Sequence, residues 1–143
     1  MIEGQRQKLK PCAGLMVFKD GKVLIGKRKG SHGSGEYSFP GGHLEYEESF
    51  VECLQREAQE EAQIKVENIK FLCLANYSKH ADRQDILVGM SADWVNGEPG
   101  EDVMGKIGEW NWYSLDNLPK PLFYPTEIII DSYKSGKNFY DKE

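Results

Sequence analysis

No apolar run in this sequence approaches the roughly 18 residues that a membrane-spanning helix needs. The stretch Met1–Cys12 lacks the apolar core of a secretory signal. Cysteine is scarce: Cys12, Cys53 and Cys73 lie far apart, with no CxxC pair. That excludes a disulfide framework and a cysteine-ligated zinc site, and predicts reduced thiols in a cytoplasmic protein. The Walker phosphate-binding loop, G-x-x-x-x-G-K-[ST], is missing, which excludes P-loop chemistry. No repeat or composition break divides the 143 residues, so a single domain, 1–143, is expected. Positive charge is also short, with 18 Lys and Arg against 23 Asp and Glu, a net charge of −5. This argues against a nucleic-acid polymer as partner. A small anionic ligand stays open, because a bound metal reverses the local field.

What is present is globular in character, with 39% apolar and 29% charged residues. Gly14–Phe18 and Lys22–Lys27 are apolar-rich strands joined by Asp20-Gly21, a strong hairpin signal. Arg28–Tyr37 reads as a Gly/Ser loop, and Ser38-Phe39 as a short strand entering the Pro40-Gly41-Gly42 turn. From Glu47 to Gln63 there is no Gly or Pro, and Glu, Gln, Ala and Leu dominate, which predicts a helix. Ile69–Asn76, Ile86–Val95 and Glu109–Leu115 read as strands. A long polar loop spans Asn96–Gly108. Thr126–Ser135 reads as a helix with Thr126 at its N-cap and Gly136 at its stop. This order predicts an α+β fold, a mixed sheet with helices on its faces.

The first helix carries an unusual charge pattern. Val51, Leu54, Ala58 and Ala62 fall on one face and are expected against the sheet, while Glu52, Gln55, Gln59 and Gln63 face solvent. Glu57, Glu60 and Glu61 sit at i, i+3 and i+4 and share a third face. Like charges so placed destabilise a bare helix by a few tenths of a kcal/mol per pair, about 0.2–0.5. A hard divalent cation between them removes that cost, and Mg²⁺ commonly joins carboxylates to substrate phosphates. Taken alone, such a cluster is more often a plain solvated helix face.

The residues around it change the reading. Gly42, Glu48, Arg56, Glu57, Glu60, Glu61 and Ile64 match the spacing G-x5-E-x7-R-E-U-x-E-E-x-G-U, where U is aliphatic. By that pattern the chain resembles the Nudix hydrolase family (MutT-like). Two positions depart: Ala58 stands for the aliphatic residue, and Gln63 replaces the late glycine. The segments Val23–Ser49 and Glu109–Pro119 also resemble a nucleotide diphosphatase subgroup of that family.

The resemblance implies an α/β/α sandwich with a mixed sheet, Mg²⁺ (or Mn²⁺) as cofactor and a nucleotide as substrate. It implies that Glu57, Glu60 and Glu61 hold the metal with help from a Gly41 carbonyl, and that Glu57 orients water. Arg56 is expected to brace the loop–helix junction by pairing with a box glutamate. Glu48 is expected to be structural. Gly41 and Gly42 let backbone approach a ligand closely. Arg28 is expected to reach the phosphates as a planar donor, though a plain surface cation competes with that role. His43 is a substrate contact, or a structural histidine. Trp110 and Trp112 share a strand face, and Trp112 is favoured to stack on the base.

Related hydrolases often carry E-K-x-x-x-W before this strand. Here Gly105 takes the glutamate's place before Lys106 and Trp110, leaving Glu101 or Asp102 as substitutes. The reaction implied is nucleoside triphosphate to nucleoside monophosphate and pyrophosphate, including modified deoxynucleotides. The alternatives are an ADP-ribose type pyrophosphatase and a non-catalytic nucleotide sensor. The ADP-ribose subgroup usually has a proline about fifteen residues past the box, where this chain has Ser78 and Lys79, which counts mildly against that alternative. A homodimer is expected by resemblance only.

Overall fold

The computed structural model describes residues 8–30, 32–80 and 83–142. Eight strands form one mixed sheet: β1 (Lys8–Lys19), β2 (Lys22–Arg28), β3 (Tyr37–Ser38), β4 (Gly41–His43), β5 (Lys65–His80), β6 (Arg83–Asn96), β7 (Ile107–Tyr113) and β8 (Phe139–Asp141). The main path runs β3-β2-β1-β6-β5-β8, with β4 on β1 and β7 on β2. β1 runs parallel to β6 and antiparallel to β2. Asp20 and Gly21 both have positive φ, as the tight hairpin turn between β1 and β2 requires.

Helix α1 (Phe50–Ala62) covers one face, and α2 (Tyr124–Ser135) the other. Alternation along β1 and β2 separates two cores. Leu15, Val17 and Leu24 pack with Leu54, Ala58 and Ala62 of α1. Met16, Val23 and Ile25 pack with Ile128, Ile129 and Ile130 of α2. This is the α+β sandwich expected, and Cys12, Cys53 and Cys73 are free thiols. Among the described residues no helix is long and apolar enough to cross a membrane.

Several boundaries differ from expectation. α1 starts at Phe50, because Ser49 and Glu52 form a capping box that fixes the start. Cys53 rather than Val51 completes its buried face, and Val51 is 40% exposed. Thr126 is not the N-cap of α2. The helix begins at Tyr124 with Pro125 in its first turn, where the missing N–H costs nothing. Thr126 is buried instead, and its Oγ1 accepts the Phe39 N–H at 3.0 Å, tying α2 to the turn after β3. β7 begins two residues before the expected strand, and β8 was not foreseen. The segment Tyr77–Asp85, between the strands expected at Ile69–Asn76 and Ile86–Val95, is mostly the ends of β5 and β6. Its residues 81 and 82 lie outside the described residues, as does Ser31 of the loop after β2.

Candidate active site

The turn between β3 and β4 meets the acidic face of α1. Gly41 pairs with Gly14 across β1 and β4, and a Cβ there would sit 2.3 Å from the Ala13 carbonyl oxygen. At Gly42 a Cβ would sit 1.5 Å from Glu57 Oε2. The two glycines therefore serve different ends. Gly41 lets β4 lie close on β1, and Gly42 leaves room for a carboxylate.

Arg56 organises the junction. Its Nε and Nη2 donate to the two Glu48 oxygens at 2.6 and 3.0 Å, a bidentate pair. Nη2 also donates to the His43 carbonyl at 3.2 Å, and Nη1 to Glu60 at 3.1 Å. Glu57 lies 3.4 Å from Nη1. Arg56 thus holds the turn, the helix entry and two box carboxylates in one register. The Arg56 hydrogen bonds hold the Glu48 carboxyl down at about 2. Glu48 precedes the capping residue, so it acts through Arg56 rather than from the first turn of the helix.

Glu61 Oε1 accepts the Gly41 N–H at 2.9 Å. Burial pushes its carboxyl up to about 8, with Glu57 and Asp102 adding to the rise. Burial likewise raises Glu57 to about 7, with Glu60 and Asp102 adding and Arg56 opposing. Of the two loop carboxylates, Asp102 is the one that lines this cleft. It is buried and accepts the N–H groups of Met104 and Lys106 at 3.1 and 2.9 Å. Glu101 turns away to Lys29 at 3.3 Å. Gln63 adopts the left-handed cap that a glycine would fill more easily, at φ 59. Its side chain donates to the Glu101 carbonyl at 2.9 Å, anchoring the loop that carries Asp102.

Among the described residues, no three carboxylates, imidazoles or thiolates converge into a ready-made metal cage. The donor chemistry nonetheless suits Mg²⁺ or Mn²⁺. The groups are hard oxygens on one helix face, Gly42 leaves a cradle for Glu57, and Mg²⁺ retains waters rather than needing a full protein cage.

A second cleft adjoins the acidic one, between the β5–β6 end and the start of α2. Phe39, Tyr77, Phe123 and Tyr124 supply its aromatic lining, and Ile129 adds an aliphatic side chain. Tyr77 and Tyr124 meet edge to face at 5.0 Å. The Lys79 ammonium lies 4.3 Å from the Tyr124 ring centroid, and the Arg28 guanidinium 3.9 Å from that of Phe123. Arg28, Arg83, Gly41, Gly42, His32 and His43 line both clefts. Arg28 Nε donates to the His32 carbonyl at 3.0 Å. His43 is exposed, with Nδ1 3.4 Å from the Pro11 carbonyl oxygen.

Trp110 and Trp112 both pack against the α1 core, and neither lines either of these two clefts. Trp112 pairs with Leu24 across β7 and β2, and the Lys19 ammonium lies 5.5 Å from its ring. Trp110 covers Gly26 and donates its indole N–H to the Glu61 carbonyl at 2.9 Å, satisfying the end of α1. The aromatic residues that do line a cleft are Phe39, Tyr77, Phe123 and Tyr124, none of which sequence reasoning singled out for binding. The one available signal was the aromatic pair beside Pro125 at the start of α2. Arg83 and Asp85 were also missed, because β6 begins three residues before the strand expected from Ile86.

The NUDIX domain profile matches residues 8–131. An NAD-capped RNA hydrolase NudC of Pseudomonas aeruginosa is 32% identical over 140 residues, 94% of this chain and 47% of the relative. The chain thus spans about half the length of such NudC relatives. An ADP-ribose pyrophosphatase of Methanocaldococcus jannaschii is 32% identical over 127 residues, 86% of this chain and 72% of the relative. A MutT NUDIX hydrolase structure from Burkholderia pseudomallei superposes with a TM-score of 0.82 at 27% identity, covering 88% of this chain and 98% of that one.

Proposed function

We propose a reaction for this chain on the premise that it belongs to the Nudix family of hydrolases. The reaction is hydrolysis of a nucleoside triphosphate to nucleoside monophosphate and pyrophosphate, with modified deoxynucleotides among the substrates. The observation that carries this reading is the meeting of two unlike clefts at Arg28 and the Gly41-Gly42 turn. An aromatic cleft suits a nucleoside. The adjoining acidic cleft suits a metal-bound polyphosphate.

Glu57, Glu60 and Glu61 would hold Mg²⁺ or Mn²⁺ beside the Gly41 backbone. When bound, the cation supplies neutralisation of phosphate charge and acidifies coordinated water. Arg56 fixes Glu57 and Glu60 relative to the turn, so the carboxylates need little reorganisation. Arg28 offers its remaining guanidinium N–H groups to phosphate oxygens, and His43 lies at the shared edge. Asp102 adds a carboxylate from the loop where relatives place a glutamate.

A second reading is favoured by the ADP-ribose pyrophosphatase relative. There the distal sugar would leave the acidic cleft past Met104, which is 73% exposed. A panel of nucleoside triphosphates, ADP-ribose, NAD and NAD-capped RNA separates the readings. Pyrophosphate release from triphosphates supports the first, and monophosphates from ADP-ribose alone support the second. Cleavage of the capped RNA would overturn the expectation of a small-molecule substrate only. Binding without turnover would support a sensor. Light scattering on the same sample reads the expected dimer, and a wholly monomeric sample would remove it.

A further inference from the structure

We propose that Arg83 is a second phosphate-binding cation, oriented by buried Asp85 and acting beside Arg28 where the two clefts meet. The proposal rests on the reading above, a nucleotide laid across both clefts. Arg28 and Arg83 are the two Lys or Arg side chains that line both clefts, and no carboxylate lines both. The junction is therefore cationic, between an aromatic cleft and an acidic one. A nucleotide spanning them must set the phosphate nearest its sugar at this junction.

The local geometry fits that task. Arg83 and Asp85 are two apart on β6 and share a sheet face. Asp85 is 2% exposed. Its Oδ1 accepts both Arg83 Nε and Nη2, at 3.1 and 2.6 Å. One edge of the guanidinium is thereby fixed, and Nη1 has no hydrogen-bond partner among the described residues. A fixed edge and a free edge make an oriented donor. Burying an ion pair is weak evidence for stability, because desolvation offsets the attraction. Orientation of the arginine is the better account of the pair. The two arginines also oppose each other electrostatically: burial chiefly lowers the pKa of Arg28, and the Arg83 charge adds a smaller push in the same direction. An anion between them removes that repulsion.

Asp85 is a positioning residue in this scheme, and Arg83 touches the substrate. The test is isothermal titration, in chelator, with the monophosphates and parent nucleosides of adenine, guanine, cytosine and uracil. Arg83→Ala should weaken the best monophosphate about 10- to 100-fold, the scale of a lost charged hydrogen bond, and its nucleoside less than about 2-fold. Arg83→Lys should fall between, since it keeps charge without the planar edge. Asp85→Asn should raise KM about 5-fold or more while leaving kcat near wild type, as expected for lost uniform binding. Should Arg83→Ala melt early, Arg83→Lys and Asp85→Asn carry the same comparison. Monophosphate and nucleoside weakened equally would overturn the proposal, as would unchanged monophosphate affinity in the variants. Wild type that binds no monophosphate overturns it too. Wild type that binds them through Arg83 but hydrolyses nothing overturns the reaction alone.

Discussion

Glu57 occupies the space that a side chain on Gly42 would need, with its Oε2 1.5 Å from the position of a Cβ there. The clash falls on the far end of a flexible side chain, so the fold can yield by moving the carboxylate. Gly42→Ala should therefore lose activity while keeping stability. Displacing one electrostatic group of this kind costs about 3 kcal/mol, or ~10²-fold in kcat. Gly41→Ala should do the opposite in order of severity, since its Cβ meets backbone of β1 at 2.3 Å. It should destabilise by about 1–3 kcal/mol as an overpacked site. Melting curves and initial rates on both variants check the contrast. Equal melting temperatures for the two would show that the sheet tolerates either methyl.

The box glutamates should separate from the capping one. Glu60→Gln and Glu61→Gln keep shape but remove ligand charge, so kcat should fall ~10²-fold. Glu52→Gln should change little, because glutamine also serves at that place in a capping box. Glu52→Ala loses the hydrogen bond to the Ser49 N–H and should cost about 1 kcal/mol of stability without a change in kcat. Rates for all four variants, corrected for folded fraction, test the assignment. Similar losses at Glu52 and Glu60 would mean that the two faces of α1 are misread.

Metal and pH should be coupled. Glu57 and Glu61 are raised from the ordinary 4.5 to about 7 and about 8, chiefly by burial. A carboxyl raised on folding favours the folded state while protonated. Its contribution is full below the unfolded value and is lost as pH rises through the folded one. Metal-free protein should thus melt progressively lower as pH climbs from about 4.5 through about 8. Saturating Mg²⁺ should flatten that decline, because the bound cation favours the ionised carboxylates. Metal affinity should rise over the same range, and chelator should abolish turnover. Melting temperatures with and without Mg²⁺ across this range check it. A metal-free decline confined to alkaline pH above that range, or full turnover in excess chelator, would sink the mechanism.

Legibility in the sequence followed locality. The hairpin at Asp20-Gly21 and the acidic face of α1 are short-range facts, set by turn chemistry and by 3.6-residue spacing. The Arg56 brace was legible too, because the glutamates it hydrogen-bonds, Glu48 and Glu60, lie within eight residues. The aromatic cleft was not. Tyr77, Arg83 and Tyr124 come from three separate elements, and no linear spacing joins them. The β5–β6 end was obscured because its residues are polar, although Asp85 is buried by its pairing with Arg83. The left-handed cap at Gln63 was flagged by a missing glycine. Its compensation, the side-chain bond to the Glu101 carbonyl, required the loop to be seen in place.

The last prediction separates base recognition from core packing. Sequence favoured Trp112 for stacking, but the residue packs with the α1 core and lines neither cleft. Trp112→Ala should therefore lower stability, by about 2 kcal/mol or more for a large, partly buried side chain. Its KM should stay near wild type wherever the protein is folded. On the function proposed above the stacking role falls to Tyr124, which lines the aromatic cleft against Tyr77 and Lys79. Stacking of a base on an aromatic ring is worth ~1–3 kcal/mol, so Tyr124→Ala should raise KM about 5- to 150-fold. Metal dependence should be unchanged in both variants, because the α1 carboxylates lie across the Gly41-Gly42 turn from Tyr124. Thermal melts and Michaelis constants taken on one sample decide the matter. A Trp112→Ala protein that melts normally yet shows a raised KM would return the stacking role to Trp112 and remove it from Tyr124.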